Sequence, residues 1–386
     1  MQRIGMIFGG RSVEHEVSVI TGHQAMAALP SDRYTPVPIY IAKNGQWYTG
    51  EALRKLDNFR DLEKLVTMVE PITFSVNRPA PGLLVQRGGR RGLFGAGGPQ
   101  IVVEPIDVAF PLIHGSHGED GTLQGLFELA DLPYVGCDVA ASALTINKAL
   151  TKGLLRAADL PVVDEVVISR ARWERDSAGV TAEVEQRFGY PVYVKPARLG
   201  SSIGVSRAED ATAMAFALDV AATYDDLVIV EPSQEDIIEI NCAVLGHGDE
   251  LTVSVCEQPV SAGTLSYEEK YLRGGKGKGM KGAQRLIPAP ISATLTAAIQ
   301  EAARRTFIAV GAAGVSRIDF LVRPEADQFF VNEINTLPGS LSFYLFEPAG
   351  VSFPALLDRL IEIAQQRATE KRRNTYSFGS SLLAGR

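Results

Sequence analysis

Two periodicities of apolar and polar positions run through the chain. A continuous apolar run, Ile4 to Phe8, ends at Gly9-Gly10, and similar runs recur at Tyr34 to Ile41 and Ile106 to Ile113. Segments with helical spacing separate them. Strands that alternate with helices predict an open parallel α/β sheet with crossover connections. Residues 139–158, VAASALTINKALTKGLLRAA, carry an apolar stripe on strong helix formers, so one helix is expected there. Pro161 opens a region of short strands and helices that reaches about residue 245, and beyond it strands surround a second long helix, Ile291 to Val310. The expected fold is α/β, turning to α+β in the carboxyl half. Its domains are 1–140, 141–245 and 246–370, with a frayed polar tail at 371–386. Six glycines among the eleven residues Gly88 to Gly98 predict a surface excursion or hairpin tip.

The pattern richest in chemistry lies near the carboxyl end. SRIDFLVR and FFVNEIN flank the turn-like PEADQ and read as a two-stranded hairpin. With the turn centred on Ala326, Asp319 faces Glu333 and Arg317 faces Asn335. Side chains alternate with period two, so all four share one face while Ile318, Phe320 and Ile334 take the other. Two carboxylates and an amide oxygen are hard ligands suited to magnesium, which prefers oxygen and shares its shell with phosphates and water. Arg317 beside them can hold an oxyanion or a phosphoryl group. The plainer alternative is a salt-bridge ladder on an exposed sheet face.

Other segments fit a phosphate. In YPVYVKPARLGSSIGVS an apolar strand delivers Lys195 to a loop holding Gly200, Ser201, Ser202 and Gly204, small residues that let backbone N–H groups approach an anion. The Walker A spacing is absent. HGSHGEDG clusters His114, His117, Glu119 and Asp120. Those residues could hold a transition metal, but the glycines favour a tight turn facing a substrate. GGRSVEHEVS places Glu14 at a strand-to-helix junction, where it could meet a substrate ammonium or simply favour the helix dipole. YEEKYLRGGKGKGMKGAQRLIP is glycine-rich and cationic between Gly274 and Gly282, as a lid over phosphates would be.

Composition narrows the class. Lys plus Arg total 38 against 45 for Asp plus Glu, a net charge of −7, which argues against nucleic acid as the main ligand. Cys137, Cys242 and Cys256 are far apart and form no C-x-x-C, as expected of buried thiols in a reducing cytoplasm. No 18-residue apolar run and no secretory h-region is present, so no membrane partner is expected.

Taken together, GGRSVEHEVS, HGSHGEDGTLQG, LPYVGCDVAASALTINKALTK, VKPARLGSSIGVS, SRIDF and NEINTLPG resemble, in order and over nearly the whole chain, the D-alanine–D-alanine ligase family of ATP-grasp enzymes. The resemblance implies a three-domain architecture with ATP between the central and carboxyl-terminal domains. It implies ATP-dependent joining of two D-alanines through an acyl phosphate, for peptidoglycan precursor synthesis. Glu14 then resembles the partner of the first D-alanine's ammonium, with His114 near its carboxylate. Lys148 and Lys195 match phosphate-binding lysines, Ser201 and Ser202 the loop over the phosphates, and Lys270 the lysine directed at the γ-phosphate. Glu231 and Glu239 match the adenine-side and ribose carboxylates. Asp319, Glu333 and Asn335 match ligands of two magnesium ions, for which manganese can substitute. Arg317 and the Gly339 N–H match the oxyanion site. A homodimer is implied by the family.

Three departures concern the substrates. Leu265 stands where the family usually has a tyrosine coupled to the loop serine, and Pro232 follows Glu231 where a lysine is common. Tyr344 replaces the serine that contacts the second substrate, within SLSFYLFEP. Ser342, Tyr344 and Leu345 are therefore candidates to line that pocket. The expectation is a register shift that lets Ser340 or Ser342 make the contact, with Tyr344 itself as the alternative. Rival readings are a ligase with another second substrate, such as a D-hydroxy acid, and a catalytically silent nucleotide-binding relative.

Overall fold

A computed structural model describes residues 1–76, 82–87, 91–92, 95–96, 100–260 and 285–377. Three sheets organise these residues. The first is built from β1 (Gln2–Gly9), β2 (Tyr34–Ile41), β3 (Trp47–Thr49), β4 (Glu70–Ser75) and β5 (Gly82–Arg87), completed by β8 (Gln100–Pro105) and β9 (Val108–Pro111). A separate two-residue ladder joins β6 (Arg91–Gly92) to β7 (Gly95–Ala96), within the glycine-rich stretch expected to form a hairpin tip. The spatial order of the seven strands is β8-β5-β4-β3-β2-β1-β9.

Only β2, β1 and β9 run parallel, so the open sheet expected to be parallel is mixed. The other neighbours pair antiparallel. Helix α1 (His15–Ala28) makes the parallel crossover from β1 to β2, and α2 (Leu62–Val66) and α3 (Thr122–Leu129) follow.

The expected helix at 139–158 is two, α4 (Val139–Ile146) and α5 (Lys148–Ala157). Asn147 leaves helical geometry at φ −93° and ψ 97°, and its side chain accepts from the Leu150 N–H as the cap of α5. The break places Lys148 at the first position of α5.

The second sheet, in the order β10-β13-β11-β12, contains β10 (Val166–Ser169), β11 (Val192–Pro196), β12 (Ser206–Ala208) and β13 (Leu227–Pro232). Helices α6 (Arg170–Arg175), α7 (Ser177–Phe188) and α8 (Ala211–Tyr224) belong to this region. The third sheet is β16-β15-β14-β17-β18. Its strands are β14 (Ile238–His247), β15 (Glu250–Pro259), β16 (Arg285–Leu286), β17 (Gly314–Arg323) and β18 (Gln328–Asn335), backed by α9 (Ala293–Ala309). The boundary expected near residue 245 falls inside β14. The change of sheet lies between Pro232 and Ile238.

After β18 come α10 (Phe343–Phe346) and α11 (Phe353–Lys371). The last helix returns to the first sheet. Leu356, Leu357, Leu360 and Ile361 are buried in one cluster with Ile4, Met6 and Phe8, and Tyr34 Oη donates to Asp358 Oδ1 at 2.6 Å. The terminal helix of residues 246–370 thus completes the core under the first sheet. Among the described residues no helix is long and apolar enough to cross a membrane. Cys137, Cys242 and Cys256 are free and buried, as expected.

Candidate active site

The carboxyl-terminal hairpin has the expected register where it matters. Arg317 pairs with Asn335, Ile318 with Ile334 and Asp319 with Glu333. Farther along, Arg323 pairs with Gln328, so the turn is centred between Glu325 and Ala326 rather than on Ala326. Asn332 is the extra residue of a bulge that makes up the difference. Ile318, Phe320, Val331 and Ile334 are buried behind the polar face. On that face Arg317 grips Asp319 through Nε (2.6 Å) and Nη2 (2.7 Å), and Asn335 Nδ2 donates to Asp319 Oδ2 at 3.0 Å. Glu333 lies 3.8 Å from Lys148 Nζ. The carboxylates of Asp319 and Glu333 and the amide oxygen of Asn335 fit magnesium, provided phosphate and water complete the shell.

Lys148 is aimed by two contacts. Its backbone N–H donates to Ala197 O at 2.9 Å and its ammonium to Leu199 O at 2.7 Å, tying α5 to the loop after β11. Burial pushes the Lys148 ammonium down while Glu333 acts against it. In that loop Ser201 and Ser202 both adopt φ 56°, a left-handed conformation that curls the backbone. Ser201 Oγ donates to Glu14 Oε1. Glu14 itself is packed against Gly115 (φ 73°), where a Cβ would come within 2.8 Å of Glu14 Oε2, so only glycine fits that turn.

Two recesses meet here. The first is lined by Glu14, His114, Glu119, Ser201, Arg317 and Gly339, among others. The second lies between the second and third sheets and is lined by Tyr193, Lys195, Ser202, Glu231, Glu239 and Asp319 with their neighbours. Lys148, Asn332 and Glu333 belong to both.

Beneath the second recess Glu231, only 3% exposed, accepts from Lys195 Nζ at 2.6 Å and from Lys152 Nζ. Burial alone would raise the Glu231 carboxyl, but Lys195 and Lys152 outweigh it and bring the pKa down to about 2. Lys152 also donates to Val163 O at 2.9 Å. The sequence reading overlooked Lys152. The signal was its spacing four residues after Lys148, which puts both ammoniums on one face of α5.

His114 is buried with both ring nitrogens engaged. Nδ1 lies 2.8 Å from Leu337 O, which can only accept, so Nδ1 carries the proton. Nε2 therefore accepts from Thr21 Oγ1 at 3.1 Å, and Thr21 Oγ1 accepts from the Ser340 N–H at 3.3 Å. Burial pushes the imidazole pKa down, which suits the neutral ring. His114 lines the first recess, as expected, but offers it ring carbon rather than nitrogen.

Glu119 bridges two loops by accepting from Gly115 N (2.7 Å) and Leu337 N (2.9 Å). Its burial, followed by the nearby Glu14 charge, pushes its pKa up to about 8. Asp120 accepts from His117 N at 2.8 Å. Among the described residues no three His, Cys, Asp or Glu side chains are placed to hold a metal, so the transition-metal alternative for HGSHGED finds no support there.

Several expected substrate contacts are placed elsewhere. Leu345 is fully buried in the core with Leu341 and Phe346, so it lines no recess and that expectation is corrected. Ser342 is 0% exposed. Tyr344 points its hydroxyl at Glu257 Oε1, 3.0 Å away. Pro232 lines the second recess. Lys270, Leu265 and the expected lid between Gly274 and Gly282 lie outside the described residues.

Family comparison agrees with this arrangement. Residues 3–137 match the family described as D-ala D-ala ligase N-terminus, and residues 154–362 match D-ala D-ala ligase C-terminus. The chain belongs to the D-Ala–D-Ala ligase family. It is 40% identical to the D-alanine–D-alanine ligase of Heliobacterium modesticaldum, covering 97% of both chains. It is 38% identical to that of Thermosipho melanesiensis, covering 96% of both. Among solved structures, the D-alanine–D-alanine ligase from Coxiella burnetii superimposes with a TM-score of 0.79 at 31% identity, over 96% of each chain. A D-Ala:D-Ser ligase from Enterococcus faecalis gives 0.78 at 33% identity, over 94% of this chain and 99% of the other.

Proposed function

We propose that this protein joins two D-alanines with ATP to give D-alanyl-D-alanine, ADP and phosphate, for peptidoglycan precursor synthesis. The observation that carries the reading is the meeting of two recesses at Lys148, Asn332 and Glu333. A carboxylate in one can there reach the terminal phosphate of a nucleotide in the other.

In this reading Glu14 holds the ammonium of the first D-alanine, with His114 shaping the site around it. Lys148, Lys195, Ser201 and Ser202 surround the phosphates, and Glu231 and Glu239 the adenine and ribose; the role of Lys270 toward the γ-phosphate rests on the family resemblance alone. Asp319, Glu333 and Asn335 would hold two magnesium ions, or manganese in their place. Magnesium supplies charge neutralisation on the transferring phosphoryl oxygens. The first carboxylate attacks the γ-phosphorus and ADP leaves. The amine of the second D-alanine then attacks the acyl carbon, and Arg317 with the Gly339 N–H receives the developing oxyanion before phosphate departs. Exclusion of water protects the acyl phosphate, and the Ser201–Glu14 contact closes the loop over it. A cytoplasmic homodimer completes the proposal, to be checked by sedimentation of the purified chain.

The test is phosphate release from ATP and magnesium with D-alanine, L-alanine, D-serine and D-lactate, with products identified by mass. Phosphate release that depends on D-alanine and yields the dipeptide supports the reading. Release without an amino acid, or a depsipeptide as the main product, sinks it.

A further inference from the structure

The acceptor amino acid in this reaction brings a carboxylate that must be bound. The hydroxyls that the sequence offers for it are either bonded or buried inside the protein. Ser340 Oγ donates to Gln24 Oε1 at 2.7 Å. Ser342 Oγ has no hydrogen-bond partner among the described residues, but it is fully buried and lines neither recess. Tyr344 donates its phenol proton to Glu257 Oε1 at 3.0 Å, and a hydroxyl has one proton to give. Arg317 spends Nε and Nη2 on Asp319.

A second guanidinium stands against Tyr344. Arg285 lies over the tyrosine ring, with Cζ 4.3 Å from the centroid. Among the described residues its guanidinium has one hydrogen-bond partner, Glu257 Oε2, 3.4 Å from Nη1. A guanidinium carries five N–H donors, and this contact uses one of them. Glu257 is 1% exposed and held on its other oxygen by Asn241 Nδ2 at 2.9 Å and by Tyr344. The backbone of Arg285 is fixed by its ladder pairing with Pro259. Asn241 on β14 is paired with Asp319 on one side and with Glu257 on the other, so the cluster shares the sheet face that carries Arg317 and Asp319. Tyr344 also lies one short turn beyond Gly339.

We propose that Arg285, positioned by the Tyr344 ring and by Glu257, binds the carboxylate of the acceptor amino acid. The proposal rests on the ligase reading above. A guanidinium meets a carboxylate with two parallel hydrogen bonds, a stronger and more directional grip than one serine hydroxyl. Tyr344 is a positioning residue that acts through its ring. Its arrival in place of serine therefore moves the carboxylate contact from a hydroxyl to a cation, with D-alanine still the acceptor.

The experiment separates the two half-reactions in the full-length enzyme. Hydroxylamine has no carboxylate, yet its nitrogen attacks the acyl phosphate carbon, loses a proton and expels phosphate, giving D-alanine hydroxamate. In Arg285→Met the acceptor-site KM should rise at least roughly tenfold, while hydroxamate formation and the KM for ATP stay within about twofold of wild type. Arg285→Lys should fall between them. Tyr344→Ser should resemble Arg285→Met, and Tyr344→Phe, which keeps the ring, should recover the acceptor KM to within about threefold of wild type. An acceptor KM unchanged in Arg285→Met, or a parallel loss of hydroxamate and dipeptide, overturns the proposal. If the wild-type protein makes no hydroxamate from ATP and D-alanine, the ligase reading itself fails, a result distinct from a loss confined to the dipeptide.

Discussion

Ser201 donates its hydroxyl to Glu14, a residue 187 positions earlier in the chain. One end of this bond belongs to the loop after β11 and the other to the turn before α1. In the proposed reading this bond closes the loop over the phosphates onto the amino-acid side of the cleft.

Removing the hydroxyl should weaken that closure without unfolding the protein. Ser201→Ala should lower kcat/KM for D-alanine by roughly 10–100-fold, the loss expected for a hydrogen bond to a charged group. Because Ser201 sits at φ 56°, Ser201→Gly should lose the same activity yet be more stable than Ser201→Ala by about 1 kcal/mol. Steady-state kinetics and thermal melts of both variants check the pair. Wild-type kcat/KM in Ser201→Gly would show that the contact is incidental.

Glu333→Gln keeps the shape of the side chain and removes its charge. Turnover should fall by about a hundredfold or more at ordinary magnesium concentrations, since a metal ligand and the counterion of Lys148 are lost together. The melting temperature should change little, because Glu333 faces the cleft rather than the core. Near-normal turnover would rule out this face as the metal site.

Glu231 should leave a signature in acid. Its folded pKa of about 2 lies below the ordinary value of 4.5, so its stabilising contribution is complete above pH 4.5 and fades as the pH falls toward 2. The full effect is about 3 kcal/mol, an order-of-magnitude figure for a carboxylate shared by two ammoniums. Denaturant titrations of wild type and Glu231→Gln between pH 5 and 2 should converge as acid is added, approaching each other by about that amount. Parallel curves would mean that the carboxylate is not held as an ion between Lys195 and Lys152.

Thr21→Val tests the chain that runs from Ser340 through Thr21 to His114. It removes the hydroxyl that donates to buried His114 Nε2 and accepts from the Ser340 N–H, at about 1–3 kcal/mol. A lower melting temperature and a raised KM for the first D-alanine should appear together. A valine variant as stable as wild type would mean that water or a rearranged ring replaces the hydroxyl.

What could be read in advance was mostly local. Period-two alternation in SRIDFLVR and FFVNEIN fixed which side chains share a face, and the face held even though the turn is centred half a residue away, because the Asn332 bulge absorbs the offset. The apolar run at Tyr34–Ile41 is β2. The break at Asn147 was hidden because the residues on both sides favour helix, and only the cap geometry stops α4. Lys152 looked like another solvated helix position until β13 brought Glu231 against it. The partners of Tyr344 lie on β15 and β16, and nothing in SLSFYLFEP announces them. The parallel sheet was overestimated because an apolar run shows that a strand is buried and not which way its neighbour points.

The return of α11 to the first sheet bears on how the chain is made. Ile4, Met6 and Phe8 are synthesised well before Phe353–Lys371, the helix that covers them. At roughly 5–20 residues per second the opening sheet waits tens of seconds for its lid of leucines. During that interval it offers an apolar surface to chaperones or to other nascent copies. A ribosome stalled shortly before residue 353 would hold a chain with its second sheet formed and its first still unfinished, although the first was synthesised earlier.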